Sequence, residues 1–184
     1  MNKKLHLGCG ERFLEGYIHV DINYYPHIDY QCSIDNLYMF EDNSVDLIYS
    51  SHNIEYFDRD EIITVLQEWK RVLKKGGILR LAVPDFESLI KIYKKTKNLG
   101  LILGPLYGKW KMNDSTHLYH KTVYDFKDLK NILLNTGFKN IKKWDWREVF
   151  YNLPKYDDHS QAYFPHMDKL NGLLVSLNIE GEKK

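Results

Sequence analysis

The chain has 184 residues, with 26 lysines and arginines against 25 aspartates and glutamates, for a net charge of +1. That balance excludes a basic nucleic-acid stripe and gives no reason to expect a charged membrane surface, and the length suits one domain with a real core better than two. Two cysteines, Cys9 and Cys32, are too few for a disulfide framework. No run approaches the ~18 apolar residues of a membrane span, and the N-terminus enters a strand without a signal-peptide core. The expectation is a soluble, cytoplasmic, single-domain protein without a nucleic-acid or membrane partner.

Lys4–Leu7 reads as a short strand closed by Gly8-Cys9-Gly10, and Tyr17–Ile22 as a second strand that carries Asp21 near its end. A third strand is expected over Asp29–Ile34 and a fourth over Val45–Ser50, after the turn residues Asp42-Asn43-Ser44. Helical spacing of Ile62, Ile63, Leu66, Trp69, Val72 and Leu73 marks a helix over Asp58–Lys75, started by Asp58 or Asp60 and ended by Gly76-Gly77. Ile78–Val83 is a fifth strand stopped by Pro84, and Phe86–Lys97 a second amphipathic helix. Residues 99–122 read as one long irregular loop, which in a compact domain is commonly functional. A third helix over Asp125–Asn135 ends at Gly137. A sixth strand runs Phe138–Trp146, with Trp144 and Trp146 on one packed face. A polar, aromatic loop covers 151–171, a last strand Gly172–Ile179, and the final "EGEKK" is a solvated tail.

Strands that alternate with helices imply a parallel sheet with right-handed crossovers, while the last two strands, with no helix expected between them, pair antiparallel. The fold class is α/β and Rossmann-like: seven strands, mostly parallel, the last antiparallel, with helices on both faces.

The stretch "LHLGCGERFLEGYIHVDI" opens as a nucleotide-binding fold does, yet it breaks the dinucleotide fingerprint. Phe13 stands at the third glycine position, and Asp21 comes 11 residues after Gly10, not the roughly 20 of a nicotinamide site. The first helix is then short or displaced, and a pyrophosphate is poorly served. Gly8 and Gly10 still allow close approach to the strand end, and Asp21 can accept from two ribose hydroxyls. A nucleoside without phosphates fits this loop better than a dinucleotide.

The segments "LHLGCG", "HVDI", "FEDNSVDLIYSSHNIEYF", "LQEWKRVLKKGGILRLAVPD" and "FKDLKNILLNTGF", in this order, resemble class I S-adenosylmethionine-dependent methyltransferases, and in particular the small members found among bacterial surface-polysaccharide genes. The resemblance implies that family's seven-stranded sheet and S-adenosylmethionine as cofactor. It places Gly8, Cys9 and Gly10 beneath the methionine and ribose, Asp21 on the ribose hydroxyls, Ser33, Ile34 and Asp35 along the adenine, and Ser51 and His52 beside the methyl group. The histidine of the family's common "LEH" is Tyr56 here, so that role is not carried over.

His52, at the sheet's C-terminal edge, is the candidate base for an acceptor that must lose a proton; a histidine that only hydrogen-bonds the loop or cofactor is the plainer alternative. Asp85 either caps the helix that follows or binds the acceptor, and capping is the stronger preference. His117 and His120 in the first long loop, and Asp158 and His166 in the second, are candidates for acceptor recognition. Their spacing matches no zinc pattern and no cysteine joins them, so no metal is assigned. The expected activity is methyl transfer to a small polar acceptor, such as a sugar or polysaccharide precursor. A module that binds the cofactor without turnover and a nicotinamide enzyme are the rivals.

Overall fold

The computed structural model describes residues 2–111 and 116–184. In chain order, β1 (Lys4–Leu7), β2 (Ile18–Asp21), β3 (Tyr30–Gln31) and β4 (Val45–Ser51) come first. A 3-10 turn (Ile54–Tyr56), α1 (Glu61–Val72), β5 (Leu73–Pro84) and α2 (Phe86–Thr96) follow. Then come α3 (Gly100–Tyr107), β6 (Trp110–Lys111), β7 (His117–Leu118), α4 (Phe126–Asn135) and β8 (Phe138–Lys143). The chain closes with α5 (Trp146–Val149), a 3-10 turn (His159–Gln161), β9 (Tyr163–Phe164), β10 (Leu173–Leu174) and β11 (Ser176–Lys183).

Seven strands form the main sheet in the order β3-β2-β1-β4-β5-β11-β8. Neighbours from β3 to β5 are parallel, and β11 slots antiparallel between β5 and β8. The expected α/β sheet with an antiparallel last strand is the one found. Alternation along the strands sorts two faces. Ile48, Leu79, Leu81, Val83, Leu177 and Ile179 face a core with α1 and α4, where Trp69, Leu129 and Leu133 are 0% exposed. Tyr49 and Ala82 face the other side, against Leu14, Trp144 and Phe150. No helix joins β1 to β2 there: Phe13, at the missing glycine position, is surface-exposed and stacks on His19 at 5.0 Å.

Several boundaries differ from expectation. Asp58 does start α1: its carboxylate accepts from the Asp60 and Glu61 amides at 2.9 Å while Glu61 returns a bond to the Asp58 amide at 2.8 Å, a reciprocal capping box. The helix stops at Val72 because the chain already pairs with β4 at Leu73, well before the glycines. Residues 99–122 are not irregular throughout: α3 and the β6–β7 pair lie in them, and Ile102 packs on Leu89 and Ile92 of α2. The glycines and Pro105 hid a helix whose support is tertiary. β8 ends at Lys143, so Trp144 and Trp146 do not share a strand. Trp144 donates its indole N–H to the Leu81 carbonyl at 2.9 Å, and Asp145 caps α5. The "EGEKK" tail is largely strand, since β11 runs to Lys183 and the carboxylate of Glu180, 8% exposed, receives Arg80 at 2.8 Å.

Candidate functional site

A cleft of about 860 Å³ opens over the C-terminal ends of β1, β2, β3 and β4, where ligands bind in open α/β sheets. A shallower depression of about 560 Å³ lies beyond Arg12, along Phe13 and the 152–157 segment. It lacks the strand-end groups of the cleft.

One end of the cleft is made of main chain. Gly8 and Gly10 take φ of +62° and +55°, so the loop after β1 runs in left-handed backbone that side chains rarely adopt. A Cβ at Gly8 would collide with the Asn53 carboxamide. Asn53 is why the loop is fixed: its Nδ2 lies within 3.2 Å of the Leu7 and Gly8 carbonyls and within 3.0 Å of the Ser50 hydroxyl and the Ser51 carbonyl, tying the end of β1 to the end of β4. Sequence reasoning missed Asn53; a polar run directly after an apolar strand was its only signal. Asp21, 5% exposed, accepts from the Gly10 and Asn23 amides, each at 2.8 Å. Each carboxylate oxygen keeps a lone pair for a further donor. Ser33, Ile34 and Ser51 line the same cleft with Gly8, Cys9 and Gly10. Burial and the Asp21 carboxylate push the Cys9 thiol up to about 12, which makes it an inert packing group. Asp35 is exposed and stands outside the cleft.

The other end is a wall of imidazoles and aromatic rings. His52 has φ of +55°, a strained conformation for a residue other than glycine. Its Nε2 is 3.2 Å from the Ser176 hydroxyl and its Nδ1 3.6 Å from Oε1 of Glu55. His52 lines the cleft with both nitrogens beside protein groups, the arrangement that the plainer role describes. Glu55, in the 3-10 turn after β4, is 1% exposed, and neither carboxyl oxygen is hydrogen-bonded among the described residues. Burial pushes its pKa up to about 8. His120 sits on the far side, its Nε2 3.8 Å from the same Oε1 and its Nδ1 3.0 Å from the Pro105 carbonyl. Gly108, at φ +56°, leaves room for the ring, since a Cβ there would lie 2.5 Å from Nε2. The Lys121 amide, bonded to the Glu55 carbonyl at 2.8 Å, straps this segment down.

His159 stands beside His52, ring centres 5.2 Å apart, with its edge reaching solvent. Loss of water around the rings lowers the pKa of His52, His120 and His159, so all three are neutral near pH 7. Tyr56, Trp110 and the Lys121–Glu61 pair, 2.7 Å apart, complete the wall. His159 and Glu55 were not among the sequence candidates; nothing in a single sequence tells one loop histidine from another.

The remaining candidates divide. Asp158 lines the cleft, but its carboxylate is taken by Tyr49, Tyr156, the Ser160 hydroxyl and the Ser160 amide, so it anchors the turn that carries His159. Asp85 is the N-cap of α2, accepting from the Glu87 amide at 3.2 Å and the Ser88 hydroxyl at 2.6 Å, and lies outside the cleft. His117, on β7, and His166 are exposed and do not line it. Among the described residues no group of three or more His, Cys, Asp or Glu side chains is arranged to hold a metal ion.

Comparison with known proteins agrees with this geometry. Residues 5–81 match the family model described as a methyltransferase domain. A search of the curated proteins gave no match. Among solved structures, the chain is similar to an S-adenosylmethionine-dependent methyltransferase of Thermotoga maritima described as a possible histamine N-methyltransferase, at 18% identity and a TM-score of 0.61, over 100% of this chain and 83% of that one. A second such methyltransferase, from Archaeoglobus fulgidus, is 18% identical with a TM-score of 0.57, over 99% and 86% of the two chains. The 1,6-didemethyltoxoflavin-N1-methyltransferase of Burkholderia thailandensis, solved with 1,6-didemethyltoxoflavin and S-adenosylhomocysteine, is 12% identical with a TM-score of 0.56, over 98% and 70%. At these identities the solved structures establish a shared fold. The matched domain ends inside β5 and takes in the glycine loop, Asp21 and the end of β4, the parts whose open backbone and free lone pairs suit a phosphate-free nucleoside. The match over residues 5–81 and the shared fold together support an S-adenosylmethionine-dependent methyltransferase with S-adenosylmethionine as its cofactor.

Proposed function

We propose that this enzyme methylates an oxygen or nitrogen of a small polar acceptor, a sugar or polysaccharide precursor being the class that best suits its cleft. The observation that carries the reading is the wall of neutral imidazoles beyond the end of β4, next to an aromatic face and a charged pair. The cofactor supplies an already activated methyl group, so the protein's task is alignment and, where the acceptor carries a proton, its removal. Gly8 and Gly10 give the close approach, Asp21 the bonds to ribose hydroxyls, Ser33 and Ile34 the contact with the base, and Ser51 lies at the reacting end. Trp110 and Tyr56 offer ring faces, and Lys121 and Glu61 offer polar partners for hydroxyls. His159, neutral and solvent-reaching, is assigned to take the acceptor's proton, while His52 and His120 position the wall.

The test is turnover by the purified full chain with a panel of sugars, nucleotide sugars and small amines, read as S-adenosylhomocysteine formed. The reading expects turnover with a hydroxyl-bearing acceptor and its loss in His159→Gln. Cofactor binding with no turnover on any polar acceptor would favour the non-catalytic module.

A further inference from the structure

Two chains of hydrogen bonds end at the imidazoles beside Glu55, and they set which nitrogen of each ring carries hydrogen. The first begins at the Ser160 carbonyl, which accepts from Nδ2 of Asn178 at 2.9 Å. Oδ1 of Asn178 is therefore an acceptor and takes the Ser176 hydroxyl proton at 3.0 Å. The Ser176 oxygen, its proton spent, can only accept from Nε2 of His52 at 3.2 Å. His52 thus carries hydrogen on Nε2, with the His159 main chain a further hydrogen-bond partner of the ring, and its Nδ1 stands 3.6 Å from Oε1 of Glu55. The second chain is shorter. The Pro105 carbonyl has no hydrogen to give, so Nδ1 of His120 donates to it at 3.0 Å and Nε2 keeps a lone pair, 3.8 Å from the same Oε1.

Two imidazole nitrogens converge on one carboxyl oxygen that has no hydrogen-bond partner among the described residues, the carboxyl's one nearby donor being the amide of Glu55 itself. An ionised carboxylate there would be a buried, unpaired charge facing two further acceptors, which is costly. We propose that Glu55 is a positioning residue that keeps its proton in the native enzyme and turns it to the gap between these nitrogens, holding His52 and His120 as neutral rings of opposite tautomer.

The surroundings agree. His52 faces Glu55 from the end of β4, His120 from the segment after β7, His159 from behind His52, and the phenols of Tyr56 and Tyr124 lie close by. The Lys121 ammonium is engaged by Glu61 at 2.7 Å and does not serve Glu55. Burial raises Glu55 and lowers both histidines, in the direction that the bonding requires. The consequence for function rests on S-adenosylmethionine as cofactor. Its sulfonium is a cation and the thioether product is neutral, so an uncharged wall neither repels the substrate form nor traps it.

The experiment is a long-range proton–nitrogen spectrum of the histidines in the nitrogen-15-labelled full chain at pH 7, without ligand. The expected result is the Nε2–H form for His52 and the Nδ1–H form for His120. Glu55→Gln, whose amide brings two N–H groups, preserves both, and Glu55→Ala leaves at least one ring a tautomer mixture. An imidazolium at either position, or the same tautomer in both rings, overturns the proposal, as does a change in both rings on adding a chelator. Calorimetry adds a second readout. Glu55→Gln should bind S-adenosylmethionine and S-adenosylhomocysteine in the wild-type ratio. A drop of about tenfold against the sulfonium form would mean that a nearby negative charge had been removed. If neither compound binds, the cofactor reading fails while the tautomers still decide the state of Glu55.

Discussion

The two ends of the cleft are built by opposite means. The end proposed for the cofactor comes from a short run of chain: the loop after β1, the tip of β2, the segment after β3 and the end of β4, joined by backbone amides, Asp21 and Asn53. The end proposed for the acceptor is assembled from distant pieces: the 3-10 turn of Glu55, α3 with β6, the segment at His120, and the turn at His159. Its cohesion depends on long-range bonds, such as Tyr49 to Asp158 and Asn178 to Ser160. A cofactor of fixed chemistry can be served by a local, main-chain device, whereas an acceptor pocket is shaped by loops that are free to differ.

If that division is real, substitutions should separate cleanly. The largest effect is expected from His159→Gln, which should lower kcat by roughly 10²–10⁴, the usual worth of a general base, with cofactor affinity within about twofold of wild type. Steady-state kinetics beside calorimetry check it, and an equal loss of both would break the comparison. Asp21→Ala should do the reverse. It removes a charged acceptor of ribose hydroxyls and leaves the Gly10 and Asn23 amides without their partner. The expected cost is about 2–3 kcal/mol of cofactor affinity, roughly 30- to 150-fold, with little change in the acceptor KM.

Stability against pH reads this wall together with His6 and His19, whose pKa values burial also lowers, that of His6 to about 3. His52, His120 and His159 have lowered pKa values, and Glu55 is raised from 4.5 to about 8. Between pH 4.5 and the ordinary histidine value of 6.5, unfolding takes up protons at the buried histidines, His6 and His52 foremost, and releases one from Glu55, so stability rises with pH. Above 6.5 the histidines are neutral in both states and only the release from Glu55 remains, so stability falls until about pH 8. The slope on that side is at most ~1.4 kcal/mol per pH unit. Urea unfolding across this range should show a maximum near pH 6.5, and Glu55→Gln should flatten the alkaline side. The smallest effect is expected from Trp110→Ala, a rise in acceptor KM of about tenfold or less with kcat retained.

What the sequence disclosed follows the same line. The parallel order, α1, α2, α4 and the capping by Asp58 and Asp85 were legible because helical spacing and cap chemistry act locally. Gly8, Gly10 and Asp21 were legible as an open loop and an acid at neighbouring strand ends, where the cleft lies, because glycine and strand-end chemistry act locally. α3 was not legible, since Gly100, Gly104 and Pro105 argue against a helix that its packing on α2 sustains. The acceptor wall was hidden for a related reason. His117, His120, His159 and His166 look alike in a string, and only the fold brings His120 and His159 to the cleft while leaving His117 and His166 away from it. Asp158 looked like a ligand group and proved to be an anchor, because Tyr49, which holds it, lies on a strand 109 residues away.

The central claim is that S-adenosylmethionine sits at the main-chain end of the cleft. The most direct measurement is an amide chemical-shift titration of the full chain with S-adenosylhomocysteine. The account predicts saturable shifts centred on Gly8, Gly10, Asp21, Ser33, Ile34 and Ser51, with Asp35 and His166 unmoved. Saturable binding of a nicotinamide dinucleotide in its place, or shifts confined to the depression beyond Arg12, would contradict it.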